Sequence, residues 1–129
     1  MANTPLKRGF KKMLAEANAV IETVSVPDLP YLLDDPDVVV LDVRDADERD
    51  KEGAIPDSVH APRGLLEFLA DPESPIYNDL ISTERRLVVY CGTGGRSALA
   101  AKTLVDMGYP EVVSLAGGFA AWAAADANS

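Results

Sequence analysis

The chain has one cysteine, one histidine and one tryptophan, and aromatic residues make up only 6% of its 129 positions. A single cysteine excludes an internal disulfide. With one histidine beside it, the soft ligands fall short of the three or four that zinc takes, so neither a metal nor a cofactor is expected. Cations are scarce as well: 12 Lys and Arg stand against 21 Asp and Glu, a formal net charge of −9. Nucleic acid is therefore not an expected partner, because counterion release from phosphates needs a basic face. There is no apolar run of membrane length and no secretory h-region, so no membrane span is expected and a cytoplasmic, reducing setting is the default. What remains, 47% hydrophobic and 26% charged residues, is the composition of a soluble globular chain with one sizeable core.

The most informative stretch runs from Leu87 to Leu99 and reads Leu-Val-Val-Tyr-Cys-Gly-Thr-Gly-Gly-Arg-Ser-Ala-Leu. The valine-rich run from Leu87 to Tyr90 predicts a buried strand, and the segment from Arg96 onward predicts a helix with Leu99 and Leu104 on one side. Cys91 then lies at the carboxyl end of the strand. Gly92, Thr93, Gly94 and Gly95 let the backbone curl, with its N–H groups turned inward, into a helix N-terminus. Converging N–H dipoles favour an anion, so the thiol pKa is lowered and the thiolate, the nucleophilic form, is favoured. The plainer alternative is a small buried cysteine beside a tight glycine turn.

Before this stretch, the first residues are basic (Lys7, Arg8, Lys11, Lys12), and Phe10, Met13, Leu14, Ala17 and Ile21 recur at helical spacing. Residues 1–22 are thus expected to form an amphipathic helix, its cations either a solvated face or an arm for a membrane surface or partner. Residues 23–129 alternate strands and helices, the order of α/β proteins. Strands are expected at Thr23–Val26, Val38–Asp42, Ser58–Ala61, Leu87–Tyr90 and Glu111–Leu115. Val38 to Leu41 lacks polar alternation, as a strand covered on both faces does. Short helices are expected up to Leu33 and from Asp45 to Glu52. A further helix from Arg63 to Asp71 would turn Leu65, Leu66, Phe68 and Leu69 inward, and a last one opens at Gly117-Gly118 with Phe119 and Trp122 in the core. The irregular stretch from Asp71 to Ser82 is expected at the rim of an active-site mouth. Arg44 and Glu48, four apart, are expected to pair. Arg63, just past a strand end, either helps attract an anion or is a solvated charge. His60 could activate Cys91 as a dyad, or simply sit in its strand.

Four segments together resemble the single-domain rhodanese family of thiosulfate sulfurtransferases. They are the loop from Cys91 to Arg96; Leu41-Asp42-Val43-Arg44 with Glu48; Gly53 to Pro62; and Gly117-Gly118 to Trp122. The family usually carries an aromatic near Arg49 and a histidine near Ala54, and this chain has neither. The resemblance implies a rhodanese-like α/β domain, with a mainly parallel five-stranded sheet, helices on both faces and an added N-terminal helix. It implies that the Cys91 thiolate takes sulfur from a small anionic donor such as thiosulfate and passes it from a persulfide to cyanide or a thiol. Gly92, Thr93, Gly94, Gly95 and Ser97 would supply N–H donors, with Arg96 either holding the donor or fixing the loop. Asp42, Arg44 and Glu48 would brace the site. Cysteine phosphatases are a competing resemblance, but their loop is Cys-x5-Arg, against Cys91-x4-Arg96 here, and the smaller ring suits a sulfur atom better than a phosphoryl group. A sulfur-carrying or regulatory binding module is the remaining alternative.

Overall fold

Five strands form a single parallel sheet in the order β1-β5-β4-β2-β3, seen in a computed structural model that describes residues 4–128. The strands are β1 (Glu22–Val24), β2 (Val38–Asp42), β3 (Val59–His60), β4 (Arg86–Tyr90) and β5 (Val112–Leu115). The helices are α1 (Phe10–Val20), α2 (Leu29–Leu33), α3 (Ala46–Glu52), α4 (Leu66–Leu69), α5 (Gly95–Met107) and α6 (Gly118–Ala127). Among the described residues none of these helices is long and apolar enough to cross a membrane.

The central strand β4 shows why the sheet must be covered twice. Leu87, Val89 and Cys91 point into a core with Ala100, Ala101 and Leu104 of α5, while Val88 and Tyr90 point into a second core with Leu29, Leu115 and Phe119. Side chains alternate across a strand, so an unbroken apolar run needs a helix layer on each side. Cys91 continues the alternation by one residue beyond the strand and faces α5.

The topology also brings two loops to the same end of the sheet. From β4 the chain crosses through α5 to β5 on one side, and from the adjacent β2 it passes through α3 to β3 on the other. A crevice opens at the carboxyl ends of two neighbouring parallel strands whose connections diverge. The β4–α5 and β2–α3 loops line it.

Several expectations change. Residues 1–3 of the expected N-terminal helix lie outside the described residues; the helix itself begins at Phe10 and packs on α5 with Ala17 buried, leaving Lys7, Arg8, Lys11 and Lys12 exposed. The Arg63–Asp71 helix is a 3-10 turn followed by only four α-helical residues. Leu66 is buried, yet Leu65 and Phe68 are 45% and 55% exposed, because a single turn offers only a narrow inward face. The irregular stretch after it is not at the mouth. Asp71, Pro72, Tyr77, Ser82 and Thr83 line a hollow with Met107 and Tyr109, at the far end of α5. Tyr109 anchors that end by donating to the carbonyls of Ala70 (2.6 Å) and Ile81 (3.0 Å).

Candidate active site

The loop after β4 is built around one sulfur atom. Gly94 adopts φ 116° and caps α5, a left-handed turn that glycine makes without steric cost. This turn brings the Gly94 N–H to 3.1 Å from Cys91 Sγ. The Ser97 hydroxyl lies 3.5 Å from the same sulfur. Burial of Cys91 pushes its pKa up, but the Ser97 hydroxyl and the N–H groups of Ser97, Gly94 and Thr93 outweigh it, and the thiol pKa falls below its ordinary value.

The loop is held from behind by a helix whose sequence reads only as core. At the N-terminus of α6, Phe119 N–H donates to the Cys91 carbonyl (2.8 Å) and Ala120 N–H to the Gly92 carbonyl (3.0 Å). With these carbonyls tied to α6, the following N–H groups are left facing the sulfur. Gly118 makes the approach possible: it has φ 60°, and a Cβ there would lie 2.6 Å from the Cys91 carbonyl oxygen and 2.7 Å from that of Gly92.

Arg96 does not point at the sulfur. Its guanidinium grips Glu48 of α3 through two bonds of 2.6 and 2.8 Å, spanning the crevice between the two loops. The pair lies over Gly92, where a Cβ would come within 3.3 Å of Arg96 Nη2. Arg96 holds the Glu48 carboxyl down at about 2 and is itself held more firmly protonated. Glu48 also closes a capping box with Asp45 at the start of α3. This corrects the expected Arg44–Glu48 pair.

Arg44 is committed elsewhere. It is fully buried and bonds Asp42 through Nε (3.0 Å) and Nη2 (2.8 Å), reaches the Gly53 carbonyl at 2.7 Å, and stacks 4.3 Å from the Phe119 ring centre. Asp42 also accepts from Arg49 (2.9 Å) and from the Tyr90 hydroxyl (3.0 Å). Burial raises the Asp42 pKa, yet these bonds bring it below its ordinary value. A buried carboxylate needs such partners. Arg49, near which the family usually carries an aromatic, supplies one of them and donates to both Ser58 oxygens as well. Through Asp42 the end of β2 is tied to the hydroxyl of Tyr90, the residue before Cys91.

His60 donates through Nε2 to the Arg44 carbonyl, 2.8 Å away, and is not joined to Cys91 in a dyad. Arg63 is bonded to Glu67 (2.9 Å) and to Thr103 (3.1 Å), about two turns along α5 from Arg96. Of the expected donors, Gly92, Thr93, Gly94, Gly95 and Ser97 form the loop and first turn around Cys91. Among the described residues no group of three or more His, Cys, Asp or Glu is placed to hold a metal ion.

A known family model decides the family: residues 25–125 fit the rhodanese-like domain. The chain belongs to the rhodanese-like family. It is 37% identical over 92 residues to a sulfurtransferase of Allochromatium vinosum, covering 71% of this chain and 78% of that one. It is 35% identical over 96 residues to the thiosulfate sulfurtransferase GlpE of Coxiella burnetii, covering 71% and 81%. Among solved structures, a protein of unknown function from Rhodopseudomonas palustris, described as a possible tyrosine phosphatase, superposes with TM-score 0.90 at 43% identity over 98% of this chain and 97% of that one. The human single-domain sulfurtransferase TSTD1 superposes with TM-score 0.69 at 29% identity, over 79% and 95%. The rhodanese-like fold expected from the sequence is the fold observed.

The Arg96–Glu48 bridge yields a pH prediction for this rhodanese-like domain. A depressed carboxyl pKa contributes stability above the ordinary value near 4.5 and loses it as pH falls toward the folded value of about 2. Both partners are partly open to water, at 42% and 29% exposure, so the bridge is worth about 1 kcal/mol or less. Glu48→Gln is therefore expected to be about 0.5–1 kcal/mol less stable than wild type at pH 7, and the gap to close between pH 4.5 and pH 2. Urea unfolding at pH 7, 4 and 2 checks it; a gap unchanged at the lowest pH contradicts the assignment.

Proposed function

We propose that this protein is a rhodanese-type sulfurtransferase that carries sulfane sulfur on Cys91. The observation that carries the reading is the Gly94 N–H aimed at Cys91 Sγ from 3.1 Å at the mouth of α5; the sulfurtransferase relatives support it. In the first half-reaction the Cys91 thiolate attacks the outer sulfur of thiosulfate or a similar anionic donor. The donor's S–S bond breaks, sulfite leaves with the electron pair, and a Cys91 persulfide anion remains. In the second, cyanide or a thiolate attacks the terminal sulfur, a new bond to sulfur forms, and the electron pair returns to Cys91. Each half is a displacement at one sulfur atom, so one difficult step becomes two easier ones. The N–H groups of Gly92 through Ser97 would stabilise the persulfide anion as an oxyanion hole does. No cofactor is required. A cytoplasmic, reducing setting suits a free thiol.

Two features weigh against phosphoryl transfer, the activity suggested for the Rhodopseudomonas protein. The ring from Cys91 to Arg96 has only four intervening residues. Arg96, the cation that would clamp phosphoryl oxygens, is held by Glu48. That same latch favours one other reading, a sulfur carrier that loads readily but turns over slowly.

Intact-mass measurement tests the proposal. Incubation with thiosulfate is expected to add one sulfur atom to the protein, and cyanide to remove it with formation of thiocyanate. Loading without repeated thiocyanate release would identify the carrier; no loading by thiosulfate or by a low-molecular-weight persulfide would overturn both readings.

A further inference from the structure

Behind the sulfur lies a second hydroxyl that the reaction as written does not use. Ser114 of β5 is buried, 3% exposed, and its Oγ is 2.9 Å from Ser97 Oγ. Ser97 Oγ in turn lies 3.1 Å from the Gly94 carbonyl and 3.5 Å from Cys91 Sγ. We propose that Ser114 is a positioning residue for the Cys91 thiolate, acting through the hydroxyl of Ser97. The proposal rests on the thiolate's being the nucleophile.

The argument is a count of hydrogens. Ser97 has one hydroxyl hydrogen and three neighbours that compete for it or for its lone pairs. Among the described residues the Ser114 hydroxyl has a single hydrogen-bond partner, Ser97 Oγ. In a buried site an unspent O–H is costly, so Ser114 donates to Ser97 and does not accept from it. That direction leaves Ser97's own hydrogen free. With Cys91 as a thiol, its S–H donates to Ser97, which passes its hydrogen to the Gly94 carbonyl. When the thiolate forms, the Ser97 hydrogen turns to the sulfur, joining the Gly94 N–H. The Gly94 carbonyl keeps the Ala98 N–H at 3.1 Å, so it is not orphaned by the turn. Donation from Ser114 also polarises the Ser97 hydroxyl, strengthening its bond to an anion.

The chain of hydroxyls runs inward and ends at a buried residue, so it does not carry the thiol proton to water. Its consequence is orientation. The charged group that acts on Cys91 is Arg96 of α5, itself paired with Glu48 and close to Asp45 at the start of α3. The segments Val112–Leu115 of β5 and Gly118–Ala121 of α6 carry no ionisable side chain. Asp42 and Tyr90 bond each other in the cluster beneath the other face of the sheet. None of these groups is altered by a change at Ser114.

The test is the pH dependence of iodoacetamide alkylation, unambiguous because Cys91 is the only thiol. It needs no sulfur donor, so its outcome is separate from that of the persulfide experiment. Ser114→Ala is expected to raise the alkylation midpoint by about half a unit to one unit, a three- to tenfold slower reaction at a fixed pH below the midpoint. Ser97→Ala is expected to raise it at least as far, and the double variant no further than Ser97→Ala alone, since Ser114 acts only through Ser97. Ser114→Thr and Ser114→Val form a second pair of matched shape: the hydroxyl-bearing variant should keep the wild-type midpoint and the other lose it. An unchanged midpoint in Ser114→Ala, additive shifts in the double variant, or equal midpoints for Thr and Val would overturn the proposal and leave Ser114 a packing residue.

Discussion

Cys91→Ser is expected to fold, to gain no sulfur from thiosulfate and to form thiocyanate at less than about 1% of the wild-type rate. The fold should survive because oxygen is smaller than sulfur and the partners stay: Gly94 N–H and the Ser97 hydroxyl, 3.1 and 3.5 Å from the sulfur, both serve an alcohol as well as a thiol. The chemistry should not survive. A serine hydroxyl remains protonated under conditions that ionise a depressed thiol, and an alkoxide does not form a stable bond to a donor's sulfur at neutral pH. No second cysteine exists to take over the role. Circular dichroism and intact mass, read together, separate the two parts of the expectation. Thiocyanate formation above about 1% in a folded serine variant would remove Cys91 from its assigned role.

The part of this site legible in the sequence is the part written in consecutive residues. Strand, cysteine, glycine-rich turn and helix follow one another from Leu87 to Leu104, so each local preference points to the same geometry. The crevice is legible too, since apolar runs without alternation imply a doubly covered parallel sheet and such sheets bind ligands at their carboxyl ends. Interactions between distant residues are not. Arg44 and Glu48 look like a helical i,i+4 pair, but Arg44 precedes the cap Asp45, so its side chain is not on the helix surface where that rule applies. It turns back to Asp42, the buried acid at the end of β2 that Arg49 and Tyr90 also bond. Glu48 is then free to reach Arg96, 48 residues away in sequence.

The Asp71–Ser82 segment lies away from the mouth for a related reason. Its length suggests a functional rim, but length carries no direction. Tyr109, beyond the far end of α5, determines where it lies by bonding the Ala70 and Ile81 carbonyls. A tyrosine after a helix-capping glycine is the available signal. For Ser114 the signal is fainter still, a single hydroxyl in a strand of four residues whose partner is 17 positions away.

Gly118 is the one distant residue whose substitution should rival loss of the cysteine itself. Gly118→Ala is expected to lower sulfur transfer about a hundredfold or more, because a displacement of about 1 Å in a catalytic loop is enough for that. A Cβ at this position would meet the Cys91 carbonyl oxygen at 2.6 Å, the Gly92 oxygen at 2.7 Å and the Gly92 carbonyl carbon at 2.8 Å. All three are backbone atoms of the loop, which cannot rotate away as a flexible side chain would. Either α6 retreats, breaking the Phe119 and Ala120 N–H bonds to those carbonyls, or the loop moves and the Gly94 N–H loses its aim at the sulfur. The backbone adds a second cost, since φ 60° is disfavoured for alanine by about 1 kcal/mol, and the total loss of stability should be about 2–4 kcal/mol. Gly108→Ala separates the two contributions. Gly108 has φ 109°, but an alanine Cβ there would meet nothing within 4 Å, and it lies at the other end of α5. It should show the conformational cost of about 1 kcal/mol with sulfur transfer unchanged in the folded protein. A Gly118→Ala protein that is folded, with wild-type thiocyanate production and a wild-type alkylation midpoint, would mean that α6 does not hold the loop and that the N–H groups around Cys91 are placed by the β4–α5 turn alone.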